Sequence, residues 1–507
     1  MTPREVQLSE QLQQCQQELA SAQREMALLR QKLDALARRL FGVSSEALSP
    51  AQLQLLLQLP ELAVQPVLNP PTPAVVEKRP PQPARKSRAL RLPENLPVVE
   101  EVIEPEPVKQ KPEDWRCIGQ EVSEQLDYEP GRFLRRRTIR KKYVHRQEVD
   151  TVPVIAPLPE RLLDRSLPAV GLLVYLLVSK YCDHLPLYRL QQMFAQRYGV
   201  NLPRQTLARW VALAADWLRP IYEQIRTGVL AGGYVQMDET PIEYLAPGHG
   251  QTKPGYFWTG SRPGGDVFFH WATSRAATCL EIVLPATFSG TIQCDGYAGY
   301  RTFARRHPEP IILAGCWAHV RRKFHEALES SPRLAGWVLR QIQHLYQIEA
   351  KLREQQAGPN LCAAIRASQS RMIVKRLERV LIKLKGNKRC LPQSPLGVAI
   401  DYTLGIWPTL EVYLTDGRVQ VDNNLVENAI RPTAIGKKNW LFVGEAEAGE
   451  RSAIIYTIIE SCRRRGLDPA AYLRDVLTRL PNMTNRQIPE VTPATWQKSQ
   501  QQVQLAA

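Results

Sequence analysis

Three carboxylates occupy positions from which they could act together on a phosphodiester. Asp238 lies in residues 234–244, whose alternation of polar and apolar side chains predicts a strand. Asp295 ends a second strand pattern and precedes Gly296. Glu427 falls in a segment that predicts a helix. If these elements pack together, the three acids meet at one edge of a sheet.

Such a group of acids needs cations. Three carboxylates at one site cannot all stay ionised unless positive charge neutralises them. Hard oxygen ligands suit Mg²⁺ or Mn²⁺. Two such ions, roughly 4 Å apart, activate a water or a 3′-hydroxyl and stabilise the leaving oxygen of a phosphodiester. That chemistry cleaves and joins DNA strands without a covalent enzyme intermediate, and we expect no organic cofactor.

Each acid also has a simpler explanation. An Asp before a Gly, as at Asp295, is typical of a turn. Asp238 could end an exposed strand, and Glu239 beside it competes for the same role. Glu427 could be a surface residue, and Asp422 competes with it. Spacing alone therefore leaves the enzyme hypothesis open.

The patterns around the acids predict an α/β domain at residues 231–440. Three strand patterns, a helix, a strand that ends at Asp295 and a strand-to-helix segment follow one another at 234–244, 255–261, 266–274, 276–284, 290–300 and 311–328. This is the element order of a ribonuclease H-like core. It would put Asp238 on the central strand and Asp295 beside it in a parallel sheet. Residues about 325–415 have a helical pattern and predict an all-helical insertion before Glu427.

Three other side chains are candidates for active-site support. A helix from Asn423 puts Asn423, Glu427 and Arg431 on one face. His319 follows Cys316 at a spacing that suggests a metal site, but two ligands are too few for one. We expect His319 to donate to a phosphate or to an active-site carboxylate; a structural role in a strand-to-helix turn is the alternative.

The charge of the chain favours a polyanionic partner. Its 507 residues include 66 Lys or Arg and 50 Asp or Glu, a net charge of +16, and such a surplus most often indicates nucleic acid. A basic strip at residues 132–146 is one candidate DNA-binding surface, with a solvated strand face as the alternative. Its candidate contacts are Arg135, Arg136, Arg137, Arg140, Lys141 and Lys142.

A helix-turn-helix is the second candidate DNA-binding surface. The pattern predicts a helix at 187–198, a turn from Gly199 through 201–203, and a helix from Arg204 to about Trp217. An ordinary helical hairpin is the alternative. The second helix would present Arg204, Gln205, Thr206 and Arg209 to double-stranded DNA. Further candidate backbone contacts are Arg321, Arg322, Lys323, Lys437 and Lys438.

The other segments have simpler roles. Leucines at heptad spacing in residues 1–45 predict a coiled coil that pairs protomers, or a helix that folds back on its own domain. Residues 46–112 are Pro-rich and predict a linker. A small basic module at 113–150, a helical DNA-binding region at 151–230, a helical segment at 441–482 and a tail at 483–507 complete the expected organisation.

Composition excludes several classes. No apolar run approaches 18 residues, so no membrane span is expected. The first residues are polar and do not resemble a signal peptide. Nine scattered cysteines without a CxxC pair indicate reduced thiols in a cytoplasm.

Several motifs together resemble the insertion sequence 66 family of DDE transposases. They are MDETPIEYL, IQCDGYAGY, GCWAHVRRKFHEA, VDNNLVENAIRP, IGKKNWLFVG and IIESCRRRGLDPAAYLRDVLTRLP. The similarity extends to RRLFGVSSEAL, DHLPLYRLQQMFAQRYGV and most of the chain. It implies that Asp238, Asp295 and Glu427 are catalytic and hold Mg²⁺ or Mn²⁺. It also implies a bacterial, nucleoid-associated recombinase that binds transposon ends as an oligomer, with or without accessory proteins of the same element.

One departure from that family concerns zinc. Its members commonly carry a small module with paired cysteines after the linker. This chain has only Cys117 there, and His145 stands where a cysteine is expected. Tetrahedral zinc takes four nitrogen or sulfur ligands, so the sequence argues against a zinc site at residues 113–150.

Two other functions use the same residues. A helix-turn-helix protein without catalysis would keep the DNA-binding surfaces and have structural acids. A metal-dependent nuclease would use the same three acids and lack strand transfer. An inactive copy of the element is a further alternative, which the complete set of acids disfavours.

Overall fold

Residues 96–129, 131–145, 152–162, 167–246, 251–386 and 390–498 are described by the computed structural model of the chain. The predicted coiled coil at 1–45 lies outside these ranges. So does the predicted linker as far as residue 95. No helix within the described ranges has both the length and the apolar character needed to cross a bilayer.

A small sheet comes first. Its elements are β1 (Val98–Ile103), α1 (Glu106–Gln110), β2 (Trp115–Glu129), β3 (Arg132–His145) and β4 (Val154–Ile155). The strand order is β1-β3-β2, with β4 also paired to β3; β1 runs parallel to β3, and β2 and β4 run antiparallel to it. The long β2–β3 hairpin is the frame of this sheet.

The sequence prediction placed the end of the linker too late. We expected linker as far as residue 112, but β1 already forms at Val98–Ile103. Its sequence VVEEVI is rich in β-branched residues, which favour a pleated surface. Glu100 on β1 also pairs with Arg137 on β3 at 2.9 Å. The many prolines nearby obscured this short strand in the sequence.

Three helices follow: α2 (Val170–Tyr181), α3 (Leu187–Tyr198) and α4 (Arg204–Leu230). Gly199 ends α3 with a φ of 66°, a left-handed conformation that suits glycine. The prediction that the next helix ends near Trp217 was wrong, because α4 continues through Pro220 to Leu230. Buried Leu218, Ile221 and Ile225 keep the added turns against the core.

The second sheet carries the acids. Its elements, in chain order, are β5 (Tyr234–Leu245), β6 (Thr252–Ser261), β7 (Val267–Ala272), α5 (Thr278–Val283), β8 (Gly290–Gln293), α6 (Ala298–Arg306) and β9 (Ile311–Ala314). The strand order is β7-β6-β5-β8-β9. The pairs β7–β6 and β6–β5 are antiparallel, whereas β5, β8 and β9 are parallel. β5 therefore lies at the centre of a mixed sheet.

Helices fill the chain from β9 to the third acid. They are α7 (Trp317–Glu326), α8 (Pro332–Glu354), α9 (Pro359–Ile365), α10 (Arg371–Lys385), α11 (Pro395–Gly405) and α12 (Trp407–Leu410). Their buried side chains form a separate apolar cluster with Trp317, Phe324 and Trp407. The helical pattern of the sequence in this segment agrees with these elements.

Three more helices return to the sheet. They are α13 (Asn424–Trp440), α14 (Ala446–Arg464) and α15 (Pro469–Arg479). Helix α13 packs against β5 and β6, and α14 packs against β7 and α4. The predicted tail at 483–507 was too long, because its described residues up to 498 pack on the core. Ile488 and Val491 are buried there, and the Tyr472 hydroxyl donates to the Val491 carbonyl at 2.6 Å.

Candidate active site

Asp238 lies within β5, and Asp295 lies two residues beyond the end of β8, the parallel neighbour of β5. The register pairs Gln236 on β5 with Gln293 on β8. Each acid follows its glutamine by two residues. The negative charge of Asp295 raises the pKa of Asp238, so the two carboxylates lie near each other. The adjacency expected from the sequence is therefore observed.

Glu427 lies near these carboxylates, in the first turn of α13. The helix begins after Asn423, and the Glu427 amide donates to the Asn423 carbonyl at 3.3 Å. Its Oε1 lies 3.7 Å from Nε2 of His319, and its Oε2 lies 3.6 Å from a guanidinium nitrogen of Arg322. Only 22% of the side chain is exposed. The carboxylate is thus held between α13 and α7.

The pKa of Asp238 is raised by burial and by the negative charges around it. Burial contributes most to the rise, the charges of Glu239, Asp295 and Glu427 add to it, and together they bring this pKa to about 8. The amide of Glu239 donates to Oδ1 of Asp238 at 3.0 Å and opposes the rise. Without cations, Asp238 therefore favours its neutral form at neutral pH.

Glu239, the competitor of Asp238, has its own partners. Its Oε1 accepts two hydrogen bonds from the Arg275 guanidinium, at 2.8 and 2.5 Å, and its Oε2 accepts one from the Tyr300 hydroxyl at 2.9 Å. Arg275 also lies over the Tyr297 ring, 4.1 Å from its centroid. Burial raises the pKa of Glu239, and Arg275 opposes that rise. A paired carboxylate of this kind has little capacity left for a cation.

Asp422, the competitor of Glu427, is also occupied. One of its oxygens accepts from the amide of Asn424 at 3.1 Å, and the other accepts from the Asn424 side chain at 2.8 Å. It therefore shapes the start of α13. Glu239 and Asp422 thus have their oxygens occupied. Their competitors Asp238 and Glu427 each keep a carboxylate oxygen for another ligand.

His319 lies beside the acids. Burial lowers the pKa of its imidazole, and the negative charges of Glu427 and Asp295 oppose that shift. Its Nδ1 is buried and has no hydrogen-bond partner among the described residues. One ring nitrogen, the Cys316 sulfur and a Glu427 oxygen all lie within 4.8 Å of one another. At 3.7 Å, Nε2 of His319 is near the Glu427 carboxylate but makes no hydrogen bond to it, so its donation to a carboxylate or phosphate stays a prediction.

Asn423 and Arg431, the two other candidates for active-site support, differ in their exposure to solvent. Asn423 is fully buried, and neither its amide nitrogen nor its amide oxygen has a hydrogen-bond partner in the described part of the chain. Arg431, one turn beyond Glu427, is exposed. Asn423, Glu427 and Arg431 were expected on one face of the helix; along that face Asn423 is buried, Glu427 is partly buried and Arg431 is exposed.

A buried polar network holds the strands and α13 together. The Tyr234 hydroxyl and the Gln236 amide both donate to Oε1 of Gln293, at 2.7 and 3.0 Å. Gln236 also donates to the carbonyl of Asp422 at 2.9 Å, and Gln293 donates to the carbonyl of Gln420 at 2.8 Å. These bonds tie the segment before α13 to the two strands that bear the aspartates.

The sequence analysis missed these glutamines, although a signal for them exists. Both aspartates follow a glutamine at the same spacing, as Gln236-Met-Asp238 and Gln293-Cys-Asp295. Two fully buried glutamines need partners, and a repeated spacing on paired strands lets them bond to each other. The repeat could have been read as such a pair.

The helical layer also contacts Asp295. The Tyr402 hydroxyl on α11 donates to the Asp295 carbonyl at 2.5 Å. Oδ1 of Asp295 accepts from the Tyr297 amide at 2.9 Å. Gly296 has a φ of 90°, and a Cβ there would lie 3.1 Å from Ile406. The turn that carries Asp295 is thus held from both sides.

The donor set fits a hard divalent cation. Asp238, Asp295 and Glu427 offer carboxylate oxygens from three elements, and Oε1 of Glu427 is buried without a hydrogen-bond partner among the described residues. The mutual repulsion that raises the pKa of Asp238 is relieved by positive charge. Oxygen ligands of this kind suit Mg²⁺ or Mn²⁺.

The basic candidates near the acids differ in exposure. Arg321 and Arg322 are exposed on the first half of α7, whereas Lys323 is partly buried and lies 3.4 Å from Glu326. Lys437 donates to the Pro241 carbonyl at 3.3 Å, and Lys438 is exposed. Arg321, Arg322 and Lys438 are therefore the cations of this group that face solvent.

The helix-turn-helix residues form a solvent-facing surface. Arg204, Gln205 and Arg209 are exposed and Thr206 is partly exposed at the start of α4. Beneath them, Leu207 and Trp210 pack with the apolar side of α3. No acid in the described ranges pairs with Arg204 or Arg209. These cations are free to meet a polyanion.

The basic strip on β3 is different, because acids neutralise it. Arg135 and Arg137 pair with Glu124, Arg136 pairs with Asp127, and Arg140 and Lys142 pair with Glu121 on β2. Lys141 lies 3.5 Å from Glu104. The sequence showed no acid between the cations, but the neighbouring strand supplies them.

The residues discussed for zinc lie on the same hairpin. Cys117 on β2 is exposed and pairs in register with Tyr143, and His145 packs edge-on against Trp115. Within the described part of the chain, the group of three metal-type ligands that lies close enough for one ion is Cys316, His319 and Glu427.

The fold and the site define a mixed α/β protein with an acidic centre and basic outer surfaces. The chain belongs to the family described as "Transposase IS66 family", which matches residues 165–451. An "IS66 C-terminal element" matches residues 457–494, and a segment described as "Transposase C of IS166 homeodomain" matches residues 28–100. The resemblance found in the sequence is therefore confirmed.

Relatives over most of the length are known from Sinorhizobium fredii (strain NBRC 101917 / NGR234). The uncharacterized protein y4jD is 35% identical over 493 residues, which cover 92% of this chain and 94% of the relative. The uncharacterized protein y4qI is 36% identical over 422 residues, 80% of this chain and 75% of the relative. A third, the uncharacterized protein y4hP, is 28% identical over 510 residues, which cover 94% of this chain and 90% of the relative.

Proposed function

We propose that the chain is a DNA transposase that binds the terminal repeats of its insertion sequence and catalyses metal-dependent strand cleavage and strand transfer. The observation that carries the proposal is the convergence of Asp238, Asp295 and Glu427: beside the effect of burial, the charges of Asp295 and Glu427 raise the pKa of Asp238. Membership of a transposase family supports it. The strand order β7-β6-β5-β8-β9 further supports assignment of the domain to the ribonuclease H-like class.

In this proposal the three acids hold two Mg²⁺ or Mn²⁺ ions. When bound, such ions supply Lewis-acid stabilisation of the attacking and leaving oxygens and lower the pKa of a bound water. Arg322 stands 3.6 Å from Glu427 with 60% of its side chain exposed, so it can orient the carboxylate and contact a DNA phosphate. On the buried side, Nε2 of His319 lies 3.7 Å from the same carboxylate and can orient it.

Binding of DNA is assigned first to the start of α4. Its exposed Arg204, Gln205 and Arg209 carry the side-chain types that contact phosphates and base edges. The basic strip on β3 remains a proposed phosphate-binding surface, but there a phosphate must compete with Glu121, Glu124 and Asp127. Pairing of protomers through residues 1–45 completes the proposed assembly.

The test is a cleavage and joining assay in Mg²⁺ on DNA that carries the element's own ends. We compare the wild type with Asp238→Asn, Asp295→Asn and Glu427→Gln, and use Glu281→Gln, an exposed acid on α5, as the matched control. Each active-site variant is expected to bind DNA normally and to lose at least about 100-fold of both activities. The control should cut and join like the wild type.

The assay also separates the alternatives. Cutting by the wild type without joining would identify a nuclease. Full activity in any one of the three variants would remove that acid from the site. DNA binding with no cutting in Mg²⁺ or Mn²⁺, even with other products of the element added, would favour the non-catalytic helix-turn-helix protein.

A further inference from the structure

A second set of metal-ligand side chains shares Glu427 with the acidic centre. Cys316 immediately precedes α7, and His319 lies in its first turn. The Cys316 sulfur, a ring nitrogen of His319 and a carboxylate oxygen of Glu427 all lie within 4.8 Å of one another. A sulfur, a nitrogen and an oxygen donor atom therefore meet at the junction of α7 and α13.

Two atoms of these side chains have no hydrogen-bond partner among the described residues. Nδ1 of His319 and Oε1 of Glu427 are buried without a hydrogen bond among the described residues. Cys316 is fully buried, and the backbone amides of His319 and Asn423 lie at its sulfur. Buried polar atoms without partners are uncommon.

We propose that Cys316, His319 and Glu427 form a site for a thiophilic divalent cation such as Zn²⁺, Co²⁺ or Cd²⁺. A sulfur, nitrogen and oxygen set of three protein ligands suits these ions and leaves one position open. Mg²⁺ takes oxygen ligands and does not use the thiol. Ligand atoms of a tetrahedral site lie about 3.5 Å apart, so small side-chain rotations close the group around the ion.

The site has a consequence for catalysis, which rests on the proposed function. Glu427 cannot serve the thiophilic ion and the Mg²⁺-binding acids fully at once. Zn²⁺ should therefore compete with Mg²⁺ and inhibit strand cleavage.

The test of binding uses Cd²⁺ and the full-length chain in reduced, EDTA-treated form. We expect one tight site that produces a thiolate-to-metal charge-transfer absorption. Cys316→Ser should remove this band, while Cys462→Ser, which changes a buried cysteine on α14, should keep it. His319→Gln and Glu427→Gln should each weaken the affinity at least tenfold. A wild type and Cys316→Ser that titrate alike would overturn the proposal.

Two further measurements keep the result unambiguous. If Cys316→Ser fails to fold, the Co²⁺ spectrum of His319→Gln replaces it, and an unchanged tetrahedral spectrum in that variant rejects the site. Excess Mg²⁺ should lower the apparent Cd²⁺ affinity; no competition would overturn the sharing of Glu427. These readouts need no cleavage, so a chain that binds Cd²⁺ as expected and never cuts DNA contradicts only the proposed function.

Discussion

The acidic centre brings like charges together before any cation arrives, and Asp238 bears most of the effect. Its pKa lies near 8 in the folded protein, whereas an unfolded aspartate titrates near pH 4. Between these values the folded state holds a proton that the unfolded state releases. This contribution to stability is present below about pH 4 and is lost as the pH rises through about 8.

Metal-free protein should therefore become less stable as the pH rises through this window. We expect the wild type to lose melting temperature between about pH 5 and pH 8.5 in EDTA, and Asp238→Asn to lose much less, because its amide never ionises. Thermal unfolding by circular dichroism measures the difference. Added Mg²⁺ should restore the wild type alone. Parallel curves for the two proteins would contradict the assigned pKa.

At this scale the sequence proposes Asp238, Asp295 and Glu427 but does not choose between neighbouring acids. The sequence predicts that Asp238 lies in one strand and that Asp295 follows the neighbouring parallel strand, and the pairing of β5 with β8 agrees with this. Asp238 and Glu239 are equivalent in the sequence, however. Only the fold brings Arg275 and Tyr300 to Glu239, because these partners come from residues 36 and 61 positions away.

At the scale of elements, the glutamine network decides where α13 begins. Gln293 joins β8 to Tyr234, to Gln236 and to the segment before Glu427. A leucine at this position would leave buried hydroxyl and carbonyl groups without partners. Each such group costs roughly 1–3 kcal/mol.

Gln293→Leu should therefore reduce the free energy of unfolding by roughly 2–4 kcal/mol. Urea unfolding measures this loss, and Gln343→Leu, an exposed change on α8, is the control. At temperatures where Gln293→Leu remains folded, its Mg²⁺ affinity should also fall, because Glu427 is no longer held against the strands. A variant as stable as the control would show that the network is dispensable.

The start of α4 should carry more of the salt-dependent DNA affinity than the strip on β3. Replacing Arg204 and Arg209 together by alanine should lower the slope of log affinity against log salt by about 2. Filter binding or fluorescence anisotropy at several salt concentrations measures the slope. Arg333 and Arg340 on α8, changed together to alanine, are the matched control. Equal slopes in the two double variants would argue against the helix-turn-helix surface.

Strong hydrophobic periodicity predicted most helices and strands. The errors in element boundaries arose where the periodicity was short or where prolines interrupted it. The strands β5 to β9 follow alternation that survives in the structure. β1 is six residues long and stands among prolines, so composition outweighed its pattern. The last turns of α4 follow Pro220, which is usually a sign of termination. Tertiary packing of Ile221 and Ile225 overrides it.

At the scale of the whole molecule, charge alone is a poor guide to a binding surface. The surplus of +16 correctly favours a polyanionic partner for a member of a transposase family. The densest basic run is nevertheless the one that its own sheet neutralises, because acids on β2 stand opposite it in register. Which cations are free depends on strand pairing, which is not visible in a linear sequence.

Self-association remains a prediction that rests on residues 1–45. If their leucine seam pairs protomers, Leu19→Asp together with Leu33→Asp should convert an oligomer to a monomer, because charges at seam positions are costly to bury. Sedimentation equilibrium of the full-length chain measures the mass. Gln13→Asp with Gln31→Asp, outside the seam, is the control. An unchanged mass would indicate a helix that packs on its own domain.

The packing of α14 has a consequence for how the protein is made. This helix covers β7 and α4 together, although both precede it by some 170 residues or more. During translation, the apolar faces of α4 and β7 therefore stay uncovered until nearly nine-tenths of the chain has been synthesised. A copy of the gene interrupted before residue 446 would yield a product without its core and open to proteolysis, and not a fragment able to occupy transposon ends.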